Sequence, residues 1–131
     1  MSTVGNDNQD SVLAVDTVAE IRALPREIDA ILVSRLDDDK ARALSQLRQL
    51  RVLYQDGSPF ELTDVGLQAL AGLPALEKLD LEWAEGITDR GLAALHHLGG
   101  LRWLDLGFCS GLSDGAVQEL RRALPNVEIV R

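Results

Sequence analysis

The stretch LRWLDLGFCSGLSDGAVQEL, Leu101–Leu120, decides how the rest of the chain is read. An alternating apolar run, Leu101 to Leu106, breaks at Gly107-Phe108-Cys109-Ser110-Gly111 and passes into a segment with helical spacing of apolar residues. Strand, G-x-C-x-G, helix is the outline of a nucleophile elbow, with Cys109, the single cysteine of the chain, in the nucleophile's place. It is equally the outline of one unit of a repeat. Whether the stretch recurs distinguishes the two.

It does recur. Leu62-Thr63-Asp64-Val65-Gly66-Leu67 returns as Ile87-Thr88-Asp89-Arg90-Gly91-Leu92 and as Leu112-Ser113-Asp114-Gly115-Ala116-Val117, at steps of 25 residues. Leu70, Leu73, Leu76, Leu79 and Leu81 reappear as Leu95, Leu98, Leu101, Leu104 and Leu106. Upstream, Leu36, Leu44, Leu47, Leu50 and Leu53 stand 26 residues ahead of Leu62, Leu70, Leu73, Leu76 and Leu79. Val18, Ile21, Leu24 and Pro25 align with Leu67, Leu70, Leu73 and Pro74, and Ile28 to Val33 repeats the L-x-x-L-x-L spacing. Leu124 to Val130 starts one more strand.

Each unit carries two periods. The last two leucines of L-x-x-L-x-L point to one face of a strand. The G-L-x-x-L-x-x-L that follows has helical spacing and lays one apolar stripe against that face. Thr63, Thr88 and Ser113 stand where a helix N-cap belongs, each followed by an aspartate suited to the first turn. One unit cannot bury its own apolar face, whereas stacked units share a core. The expected fold is α/β: a right-handed solenoid with a parallel concave sheet of about five strands and helices on the convex side.

The residues that carry this pattern resemble the cysteine-containing class of leucine-rich repeat, L-x-x-L-x-L-x-x-C-x-x-[IL]-[ST]-D-x-G-[LAV]-x-x-L. The likeness is specific over Leu62 to Val130, fair over Leu36 to Asp56 and weak before that. Such repeats occur in F-box substrate receptors and in short bacterial leucine-rich repeat proteins, and the resemblance implies a non-catalytic module that binds other proteins. The chain departs from the pattern at Ala84, which replaces the cysteine, and at Gln55, which stands at an apolar position. The expected organisation is a disordered leader at 1–12 and a repeat domain at 13–131. Within the domain, 13–35 form an N-terminal capping unit, 36–111 the regular repeats and 112–131 a C-terminal capping unit. A competing resemblance covers Leu24 to Asp39, LPREIDAILVSRLDDD, which is similar to the start of an F-box and implies a small substrate adaptor of a ubiquitin ligase. The two readings separate at Ile28 to Val33, a strand in one and a helix in the other.

The repeat register reassigns the chemical candidates. Cys109 falls where the sister unit has Ala84, Ser113 caps the helix four residues later, and no histidine follows, so a cysteine hydrolase centred on Cys109 is the weaker reading. A buried, structural Cys109 is expected. His96 and His97 are adjacent and point about 100° apart on a helix, too divergent to share a metal. Asp37-Asp38-Asp39 is contiguous rather than alternating, which suits helix capping rather than a cation loop. Strand alternation places Tyr54, Lys78, Asp80, Glu82, Trp103 and Asp105 on the concave face as the candidate protein-binding residues. Ile129 and Arg131 are expected beside them, with Trp83, Phe108 and Phe60 plugging the loop layer above the strands.

Composition bounds the partners. Net charge is −8 and lysine occurs only at Lys40 and Lys78, so the phosphate-neutralising cluster that nucleic acid or an anionic membrane demands is missing. No apolar run approaches the roughly 18 residues of a membrane span. Met1 to Asp10 is neither basic at its start nor apolar, unlike a signal peptide, and a lone cysteine suits a reducing compartment, so a cytoplasmic location is expected. No cofactor is called for. The expected partner is another protein, with homodimerisation through an exposed terminal strand as a further option.

Overall fold

Alternation between buried and more exposed positions runs through the strand segments from Ala30 to Val130 of the computed structural model, which describes residues 2–5, 11–57 and 61–131. Ile31 and Val33, Leu53, Leu79, Leu104 and Ile129 are all at most 8 % exposed and face one way. Ala30, Leu32, Val52, Tyr54, Asp80, Trp103 and Asp105 face the other way and stay half-buried. The elements in chain order are β1 (Ser2–Gly5), β2 (Ser11–Val15), α1 (Val18–Arg22), β3 (Ala30–Val33), α2 (Asp38–Leu44) and β4 (Val52–Gln55). They are followed by α3 (Asp64–Leu70), β5 (Lys78–Asp80), α4 (Asp89–Ala93), β6 (Trp103–Asp105), α5 (Asp114–Ala123) and β7 (Glu128–Val130), with a 3₁₀ turn at Ala94–His97 extending α4.

The sheet runs β1 to β7 in sequence order. β2 to β7 are parallel, and β1 adds on antiparallel to β2, with Val4 opposite Val12. Parallel strands need a crossover between them, and α1 to α5 supply it. The helix leucines Leu44, Leu67, Leu70, Leu92 and Leu120 join the strand leucines in one continuous apolar cluster. Each fully buried leucine contributes about 1.5–3 kcal/mol.

Three expectations change here. The parallel sheet has six strands rather than about five, because Ser11–Val15 is a strand. With β1 at Ser2–Gly5, that also places parts of the supposed leader in the sheet. β2 lacks the L-x-x-L-x-L spacing and so gives no repeat signal. At the other end, β7 keeps the 25-residue step, which puts Ile129 at a core position rather than on the open face. Leu104 therefore pairs with Ile129, which is buried, while Trp103 pairs with Glu128 and Asp105 with Val130. Ile129 and Arg131 are thus not on the open face. Glu128 and Val130 take those places. Finally, Ala30–Val33 is a strand paired on both sides, which removes the helix that the F-box resemblance required.

An aspartate ladder joins the helix starts. Asp38 accepts from Thr63 N (2.8 Å) and Oγ1 (2.6 Å), Asp64 from Thr88 N (2.7 Å) and Oγ1 (2.5 Å), and Asp89 from Ser113 N (2.8 Å) and Oγ (2.7 Å). The T/S-D pair is therefore an inter-unit clamp as well as a cap. Glycine makes room for it: a Cβ on Gly66 or Gly91 would overlap the Asp38 or Asp64 carboxylate. At the end of the ladder Arg131 Nη2 reaches Asp114 Oδ1 (3.2 Å) and Leu112 O (2.9 Å).

Candidate functional site

The more exposed side of the sheet is built as two rows, the second interrupted between β4 and β5, where the pairing ends at Leu53 and Leu79. Ala30, Val52, Lys78, Trp103 and Glu128 are opposite one another in successive strands, as are Ala14, Leu32 and Tyr54, and Asp80, Asp105 and Val130. The face divides by chemistry. Its β2–β4 half is aliphatic apart from Tyr54, and its β5–β7 half carries Lys78, Asp80, Trp103, Asp105 and Glu128. All five predicted strand residues, Tyr54, Lys78, Asp80, Trp103 and Asp105, share this face, with Glu82 just beyond the end of β5. The sequence reading passed over Leu32, which completes the apolar half.

The aspartates on this face also hold the backbone. Asp80 Oδ1 accepts from Glu82 N (3.0 Å) and Gln55 Nε2 (3.3 Å), and Asp105 Oδ1 accepts from Gly107 N (2.8 Å). Each closes the turn that follows its strand. Gln55, the polar residue at a leucine position, is buried and satisfied: Nε2 also donates to Glu82 O (3.0 Å), and Oε1 accepts from Gly57 N (2.6 Å). Burial, joined by the Asp105 charge, pushes the Asp80 carboxyl above its ordinary value. Burial, then the charges of Asp105 and Asp80, does the same to Glu82. Gly107 lets these groups converge, since a Cβ there would meet Asp105 Oδ1 at 3.1 Å and the Glu82 side chain at 3.4 Å.

Cys109 is buried, and its thiol donates to Leu81 O in the preceding unit at 3.1 Å. Burial pushes the thiol up to about 11, far from the thiolate that nucleophilic chemistry needs. Thr63, Thr88 and Ser113 are all N-caps by position. Thr63 Oγ1 accepts from Val65 N (3.2 Å) and Ser113 Oγ from Ala116 N (3.1 Å), whereas Thr88 makes no cap bond. Its hydroxyl serves Asp64 alone. The Asp37–Asp39 run disperses. Asp37 caps α2 by accepting from Lys40 N (2.8 Å), Asp38 joins the ladder, and Asp39 pairs with Arg42 (3.0 Å). Among the described residues no group of three His, Cys, Asp or Glu side chains is placed to hold a metal ion, and no helix is long and apolar enough to cross a membrane.

Trp83 and Phe108 overturn an expectation. Rather than plugging a loop layer they are 47 % and 62 % exposed, and they stack on each other with ring centroids 4.1 Å apart and planes 9° from parallel. Both sit at the first left-handed position after a strand, φ 70° and 58°, where the other units place Arg35 (49°) and Gly57 (82°). That backbone costs a non-glycine residue roughly 1–2 kcal/mol, and an aromatic stack returns about 0.5–1.5 kcal/mol. The pair borders a groove of about 350 Å³ lined also by Glu85, Leu106, Cys109, Ser110 and Arg131. Phe60, expected alongside them, lies outside the described residues. The available signal was two aromatics 25 residues apart in a chain with 4 % aromatic content.

No family model and no curated protein matches the chain. Among solved structures it is similar to a chain in the crystal structure of the Rad7 and Elc1 complex in yeast, at 21 % identity and a TM-score of 0.68. The match covers 82 % of this chain and 29 % of that one, so this chain spans less than a third of its structural neighbour. The likeness is one of fold.

Proposed function

We propose that this chain is a leucine-rich repeat module, a right-handed solenoid that captures a protein partner on the open face of its sheet and performs no chemistry of its own. The observation that carries the reading is the pair of rows. They juxtapose an apolar patch (Leu32, Val52, Tyr54) and a polar one (Lys78, Trp103, Asp105) on a face that the helices leave open. Apolar and aromatic side chains next to charged ones are the ingredients of protein interfaces. Six stacked parallel strands, the 25-residue register and the fold shared with a chain from a two-protein complex all support it. The absence of a low-pKa thiol at Cys109 favours binding over hydrolysis.

Affinity capture from the native host tests the proposal. Trp103→Ala with Lys78→Ala is the informative variant, because neither side chain has a role in the turns. Capture should fall at least about tenfold, the loss of one interface hot spot or more, at an unchanged melting temperature. Undiminished capture by the double variant would remove the open face as the binding site.

A further inference from the structure

The exposed Trp83–Phe108 stack is unexplained by folding. The left-handed position is met by glycine in one unit and by arginine in another, so the turn itself demands no aromatic. Two large rings are held in an unfavourable backbone conformation and left in solvent. Strain that the fold does not require points to a use.

The surroundings select the occupant. Glu82 and Asp105 converge on Gly107, next to Phe108, and Glu85 lines the groove beside Trp83. Asp80 stands opposite Asp105 in the adjoining strand. Among the described residues the cation bordering the groove is Arg131, and it is already engaged by Leu112 O and Asp114. A second copy of this chain, itself at −8, would bring like charge to this rim. The ring faces attract a cation, and the carboxylates beside them reinforce that attraction.

We propose that the Trp83–Phe108 rim is a docking site for an arginine- or lysine-bearing segment of a partner protein. The cationic head lies over the aromatic pair facing Glu82 and Glu85, and its aliphatic stem enters the groove above Cys109. This deepens the protein-binding reading and rests on it, by adding a basic anchor point outside the open sheet face.

Calorimetric titration with an acetylated, amidated tetra-arginine peptide, with tetra-glutamate as control, tests the site on the full chain. Tetra-arginine should bind and tetra-glutamate should not. Trp83→Gly with Phe108→Gly should weaken binding about tenfold without lowering the melting temperature, since glycine suits both backbones. Glu82→Gln should weaken it less and flatten its salt dependence. Equal binding to the double glycine variant would overturn the proposal, as bulk charge would then account for it. Loss of binding in Trp103→Ala but not in the glycine variant would also overturn it and place the peptide on the open sheet face. A concentration-dependent dimer abolished by the glycine variant would overturn it in favour of a second copy. Absence of any tetra-arginine binding overturns it too, while host-protein capture by Trp103→Ala with Lys78→Ala still judges the open face by itself.

Discussion

Asp80 shows why a residue on the open face of the sheet can serve the fold as well as a partner. Its carboxylate closes the turn after β5 and is held by Gln55, yet burial and Asp105 oppose its charge. Its folded pKa is raised, so its contribution to stability is fullest below the ordinary carboxylate value and is lost as pH rises through the folded one. Asp80→Asn keeps an acceptor for Glu82 N–H and removes the charge. The variant should melt a few degrees higher than the parent at pH 7, with the difference shrinking toward pH 3 in parallel melts. Asp105→Ala, by contrast, leaves Gly107 N–H without its acceptor and should cost about 1 kcal/mol in urea titrations. Cys109 makes a sharper forecast. With its thiol pushed up to about 11 and donated to Leu81 O, it should react with a thiol reagent at pH 8 at the rate of unfolding, and in denaturant at once. Rapid native labelling would revive the hydrolase reading.

At the scale of the element, the T/S-D-x-G segment works as a connector. Two hydrogen bonds per step tie the starts of α3, α4 and α5 to the unit before, and they bind the ionised carboxylate. The bonds from Ser113 hold Asp89 below its ordinary value. Asp38 is lowered as well, because the bonds from Thr63 and Gly66 outweigh the larger single effect of burial. A lowered folded pKa gives stability that is present above the ordinary value and lost as pH falls through the folded one. Asp89→Ala should therefore destabilise the chain at pH 7 and make little difference near pH 2. Gly91→Ala tests the same connector from the other side. Its added methyl meets the Asp64 carboxylate, and the expected loss is about 1–3 kcal/mol with α4 still formed. A capping residue, an acid and a glycine at fixed spacing are visible in sequence. That the acid serves the next unit's cap rather than its own helix is not, because the bond spans 24 or 25 residues.

On the scale of the molecule, the packing runs from neighbour to neighbour: α2 lies on α3, α3 on α4 and α4 on α5, as each strand pairs with the next. Leu79 lies midway in the apolar cluster and is fully buried. Leu79→Ala should cost about 2–5 kcal/mol while the urea transition remains single. Amide exchange should be slowest in β4 to β6 and fastest in β1 and β7, the outer strands of the sheet. Two separate unfolding transitions would contradict a shared core. The sequence by itself determined the repeat length, the core leucines, the helix starts and the alternation that brings Tyr54, Lys78, Asp80, Trp103 and Asp105 to one face. All of these follow from periods of 2, 3.6 and 25 residues that local chemistry writes directly. The tertiary structure alone decided the strand without a leucine signature (β2), the register of β7, the turn-closing role of Asp80 and Asp105, and the outward stacking of Trp83 on Phe108. Each of those depends on which atoms of one unit come within reach of the next, a matter of packing distance that no single unit encodes.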